Sequence, residues 1–225
     1  MPTFRQEYET FWDMQHSGQT KDAIPTSPLI LAALYAGAAV GQQPPLRQTL
    51  PDLDMQEIAT ELYNQATSSL HAVNFPRAPS VSTLAAYLIV QGIWMRDEEP
   101  LNTGSFNGVI VRVAQMLGLH RDPSHFKAAV APIPAEVHRR VWWHVFHCDV
   151  LVAVASGLPP LIERDSWDTR MVSDLCEEKW GTVEGLHYEE EVRQELRRPS
   201  SPQDPSSLTS PLGIWLQGKF QESCR

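Results

Sequence analysis

Along most of the chain, apolar residues return every three or four positions, the spacing of one face of an α-helix. Phe4, Tyr8, Phe11 and Trp12 set this rhythm and predict a helix over 3–16, stopped by Gly18. Pro25 and Pro28 bracket a turn. Residues 29–40 are then apolar on every face and rich in alanine, which predicts a helix at the centre of the fold. Pro44 and Pro45 end it, and Asp52 or Asp54 can cap the next helix. That helix runs to about residue 73, with Met55, Ile58, Leu62, Tyr63, Ala66 and Leu70 as its apolar face. Ser80 or Ser82 caps a fourth helix over 81–95, with Leu84, Tyr87, Leu88 and Trp94 inward. A fifth over 103–117 carries the stripe Val109, Val113, Met116 and Leu117, with Ile110 beside it, and Gly118 stops it. A sixth over 135–156 follows Pro132 and Pro134 and ends at Gly157.

No stretch alternates in the manner of a strand for long, and there is no internal repeat or glycine-rich phosphate loop. The predicted fold is all-α, a multi-helix bundle of antiparallel helix pairs, with an acidic and Ser/Pro-rich C-terminal extension. Residues 1–50 supply the first helices and 51–175 the core domain. Residues 176–211 form an acidic and then Ser/Pro-rich linker, and 212–225 a short amphipathic stub that reads as cut short. Within the linker, Glu177, Glu178, Glu184, Glu189, Glu190, Glu191 and Glu195 are diluted by Lys179, Arg193, Arg197 and Arg198. That favours a solvated helix over an acidic activation segment.

Charge narrows the range of functions. The chain has 18 Lys and Arg against 27 Asp and Glu, a formal net charge of -9. A surface that grips nucleic acid through phosphates needs a basic excess, so no direct nucleic-acid contact is expected. Cys148, Cys176 and Cys224 lie far apart, so no thiolate zinc site is expected and a reducing compartment fits. The longest apolar run is too short to cross a bilayer, and the first residues lack the pattern of a secretory signal.

The specific signal lies in two neighbouring segments. Residues 114–123 read AQMLGLHRDP, and residues 134–149 read PAEVHRRVWWHVFHCD, followed by ASGLPPLI at 155–162 and by Asp165. In this order the set resembles the fungal-specific transcription factor domain, the middle homology region of fungal zinc-cluster regulators. The matching positions are Gly118, His120, Arg121, Asp122, Arg139, Arg140, Trp142, Trp143, Asp149, Gly157, Pro159 and Asp165. Leu158 departs from the pattern, since the family often has Arg before Pro159. The resemblance implies a nuclear, non-enzymatic regulatory region with protein partners of the transcription machinery or a small-molecule effector. It also implies that DNA is reached only through an N-terminal six-cysteine zinc cluster, which this sequence does not contain. Zinc is expected only in that cluster, so no cofactor is expected in this chain. A fragment, a degenerate copy or a truncated gene model is expected.

The same residues have a physical reading. Trp142 and Trp143 point roughly 100° apart on a helix and can face two neighbours. Asp149 falls within the apolar stretch 141–155, and a buried carboxylate needs a cation or several donors. Arg121 is the expected partner, in a buried ion pair that pins the turn at 118–122 to the sixth helix. His138, His144 and His147 share that helix but lack the spacing of a zinc-protease motif, so a metal site is not favoured. His120 and Asp122 lack a nucleophile elbow, and Cys148 reads as a small buried hydrophobe. The competing functional reading is a stand-alone helical ligand-binding protein or enzyme on a similar scaffold.

Overall fold

The computed structural model describes residues 4–5, 8–10, 12–13, 27–41, 54–97, 100–173, 175, 179–180 and 182–197, without the side chains of 94–97, 100–104, 189, 192–193 and 195–197. The predicted stops at Gly18 and Pro25, the Ser/Pro stretch and the C-terminal stub lie outside the described residues. The described part is helical, and no strand occurs among the described residues. Its helices are α1 (Pro28–Gly41), α2 (Met55–Ala72), α3 (Val81–Asp97), α4 (Pro100–Met116), α5 (Pro132–Ser156) and α6 (Val183–Arg197). A 3-10 turn, Pro123–His125, lies between α4 and α5. Ahead of α1, Tyr8 contacts both Phe4 and Trp12, each four positions away, as on one helical face.

Local chemistry sets the boundaries. Asp54 accepts hydrogen bonds from the N–H groups of Gln56 and Glu57, fixing the start of α2. At its far end Asn74 takes a positive φ of 61°, and the Phe75 N–H closes back on the Leu70 carbonyl. Ser80 and Thr83 cap α3 reciprocally, each side-chain oxygen accepting the other's backbone N–H. α5 begins at Pro132, three residues earlier than predicted. Both prolines fall in its first turn, where the N–H groups have no helical acceptor to lose.

The core joins α1 through α5. Ile30, Ala32, Leu84, Ala86, Ile110, Ala114, Trp142 and Val145 are almost wholly buried. As its all-apolar pattern predicted, α1 packs against both α2 and α3. Of the stripe predicted for α4, Val113 and Leu117 meet the core, with Ile110 beside them, but Val109 and Met116 do not. Asn107, Ile110, Val111, Val113 and Ala114 face inward, while Val109 is 38% exposed and Met116 68%. The apolar stretch 141–155 of α5 is not covered along its whole length. Leu151 and Val154 near its end are 45% and 79% exposed. The inward-facing Trp94 of the prediction lies outside the described side chains.

The acidic stretch contains a helix, α6, with Val183, Glu184, Leu186, Glu190 and Glu191 exposed. It is held through Trp180, which is buried and meets Tyr188 edge-on. Gly185 is the close approach, for a Cβ there would stand 2.8 Å from the Trp180 carbonyl oxygen. Gly185→Ala is therefore expected to unseat α6 at a cost of about 1–3 kcal/mol. Hydrogen exchange over 183–197 should quicken while α5 stays protected.

Candidate functional site

α4 ends in a turn that explains the Gly-Leu pair of the motif. Gly118 takes φ +76°, its N–H bonds to the Gln115 carbonyl, and the Leu119 N–H reaches back to Ala114. This is a glycine-terminated helix end in which the following apolar residue plugs the core, and Leu119 is fully buried. Asp122 then caps the 3-10 turn, accepting from the Ser124 N–H at 3.0 Å and its hydroxyl at 2.5 Å.

Asp122 does more than cap. Its carboxylate is fully buried and takes a two-pronged grip from Arg139 of α5, Nε at 2.9 Å and Nη2 at 3.1 Å. The Arg170 N–H adds a further donor at 3.0 Å. Burial alone would raise the Asp122 pKa, but the Arg139 and Ser124 hydrogen bonds and the Arg139 charge outweigh it. The group is held well below the usual carboxylate range. Beside this pair, His138 Nε2 lies 2.8 Å from the Arg121 carbonyl oxygen. Two successive residues of α5 thus hold two successive residues of the turn.

A strap, residues 158–173, returns along α5 and is fastened chiefly by its backbone. The Leu161 and Ile162 N–H groups donate to Asp149 at 3.0 and 2.8 Å. The Asp168 N–H donates to the His120 carbonyl, and the Thr169 hydroxyl to that of Leu119 at 2.6 Å. The Asp168 carboxylate in turn accepts the Asp122 N–H at 2.8 Å and Arg121 Nη1 at 2.7 Å. Trp143 Nε1 donates to the Arg170 carbonyl at 2.7 Å, and Glu136 accepts from the Ser173 N–H at 3.3 Å. Trp167 fills the space beneath the strap, with ring centroids 5.2 Å from Trp143, 5.5 Å from Phe146 and 6.4 Å from Trp142. Turn, helix and strap form one clasp.

Residues 1–212, which include the whole clasp, match the family described as the fungal specific transcription factor domain. The chain belongs to this family. Similar proteins include the transcription factor yanR of Aspergillus niger, 27% identical over 85% of this chain and 24% of that protein. The transcription factor lepE of Aspergillus flavus is 32% identical over 81% of this chain and 21% of its own length. The Zn(2)-C6 fungal-type transcription factor pigI of Monascus ruber is 31% identical over 90% of this chain and 23% of its own. The chain thus spans about a quarter of the length of these relatives. No solved structure matches it.

The clasp gives each residue of the fungal transcription factor motif a place, and several differ from the expectation. Asp149 is buried, but Arg121 is not its partner. Its oxygens are met by Asn107 Nδ2 at 2.6 Å and by the two strap N–H groups, with no cation in ion-pair range among the described residues. Arg121 instead pairs with Asp168 at the surface. The buried ion pair that pins turn to helix exists, but it joins Asp122 to Arg139. The physical reason is reach: Asp149 lies near the far end of α5 from the turn, level with Asn107 on the antiparallel α4. Arg140 pairs with Glu136 one turn back. Trp142 and Trp143 share Trp167 as a neighbour, while Trp142 also meets His120 of the turn and Trp143 bonds to Arg170 of the strap. Gly157 closes α5 in the left-handed conformation at φ 70°. Pro159 and Asp165 are exposed on the strap, outside the polar cluster.

Sequence reasoning missed Asn107, Glu136, Trp167, Asp168 and Thr169. Asn107 had a usable signal, a polar residue in phase with Ile110, Val111 and Ala114 on a buried face. Trp167, Asp168 and Thr169 lie on the strap, whose path back along α5 is set by tertiary folding rather than by a periodic pattern.

The clasp pairs its charged side chains internally, while among the described residues Asn107 Oδ1, His120 Nδ1, Trp142 Nε1 and Trp167 Nε1 are buried without a hydrogen-bond partner. His144 and His147 stand side by side, ring centroids 6.4 Å apart, and the described residues contain no group of three or more metal-ligating side chains. Burial pushes the Cys148 thiol up to about 11, far from nucleophilic reactivity at neutral pH.

Burial also lowers the pKa values of His138 and His120. A histidine with a depressed folded pKa stabilises above its unfolded value of about 6.5 and withdraws that contribution as pH falls through the folded pKa. Stability should therefore begin to fall between pH 7 and 5, and His138→Gln should flatten part of that slope in urea midpoints. Asp122 and Asp168, whose pKa values are lowered, act further down. Their contribution is present above about pH 4 and is lost as pH drops through their folded values. Glu136, raised mainly by burial, has the opposite sign and partly offsets them.

Proposed function

We propose that the chain is the regulatory, middle homology region of a nuclear fungal transcription factor and modulates transcription without itself contacting DNA. The observation that carries this reading is the internal pairing of the motif's Arg121, Asp122, Arg139 and Arg140. The motif charges Asp122 and Arg139 are almost wholly buried against each other, and Arg121 is neutralised by Asp168. These side chains build a scaffold and leave no cationic cluster for phosphates. The net charge of -9 agrees. Zinc belongs, on this reading, to a separate cysteine cluster of the kind that the name of the Monascus ruber relative indicates. Partners are proteins of the transcription machinery or a small effector, and the chain is not an enzyme.

The test has two arms. Fluorescence anisotropy with duplex DNA at physiological salt should give no binding tighter than the roughly micromolar non-specific range. Fused to an unrelated DNA-binding module in a fungal reporter strain, the chain should change transcription. Asp122→Ala, which breaks the clasp, should abolish that change. Nanomolar binding to one DNA sequence, or a fusion with no effect on the reporter, would contradict the proposal.

A further inference from the structure

No further inference is drawn: the strongest candidate, the exposed apolar patch of Leu151 and Val154 on the last turns of α5 with Leu158 and Leu161 just beyond it, carries none, because nothing among the described residues shows what covers it.

Discussion

Replacing Arg139 by methionine is expected to destabilise the domain by about 3–5 kcal/mol, the cost of stranding a buried charge. The volume of the side chain is roughly kept, so the loss is not mainly a cavity. What remains is Asp122, fully buried, with the Ser124 and Arg170 donors but no cation. Its pKa should rise sharply, and the unfolding midpoint should become strongly pH-dependent between about pH 4 and 7. Asp122→Ala should be as severe, since it strands the guanidinium and frees the Ser124 and Arg170 N–H groups together. By contrast Arg121→Ala, at a pair whose side chains are 56% and 33% exposed, should cost about 1 kcal/mol or less. Chemical denaturation of the three variants separates these cases.

The second large effect belongs to Asp149. Asp149→Ala removes the acceptor for Asn107 Nδ2 and for two strap N–H groups at once. Each buried donor left unpaired costs about 1–3 kcal/mol. The sum, reduced by whatever water can enter, should be about 3–5 kcal/mol. The loss should be local as well as global. Backbone exchange at Leu161 and Ile162 should accelerate well beyond that of α4, because the strap is tied there by backbone donors. Asn107→Ala should cost less, for the two strap N–H groups keep their carboxylate. If Asp149→Ala left exchange at 161–162 unchanged, the strap would be held by something else.

These two residues show how far the sequence could be read. Helical periodicity located the cores of α1 to α5, and the proline and glycine punctuation placed most ends within a few residues, as at Gly157. It failed where the two-sided pattern of a helix was ambiguous. On α4, Val109 and Met116 matched the spacing as well as Ile110 and Ala114 did, yet the partner helices covered only the second pair. The need of Asp149 for partners was legible from burial alone. Which partners met it was not, because two of three are backbone N–H groups of a strap whose path depends on tertiary folding. The ion pair between turn and helix was legible in kind. Assigning it to Asp122 and Arg139 required knowing which face of α5 meets the turn.

As the buried pair at the centre of the clasp, Asp122 and Arg139 should depend on each other for their contribution to stability. A double-mutant cycle on Asp122→Ala and Arg139→Met, with a parallel cycle on Arg121→Ala and Asp149→Ala, tests this dependence most directly. The first pair should be strongly coupled, the double mutant losing at least 2 kcal/mol less than the sum of the singles, near the upper range for contacting residues. The second pair should be additive within about 0.5 kcal/mol. Additive losses at Asp122 and Arg139, or strong coupling between Arg121 and Asp149, would contradict the clasp.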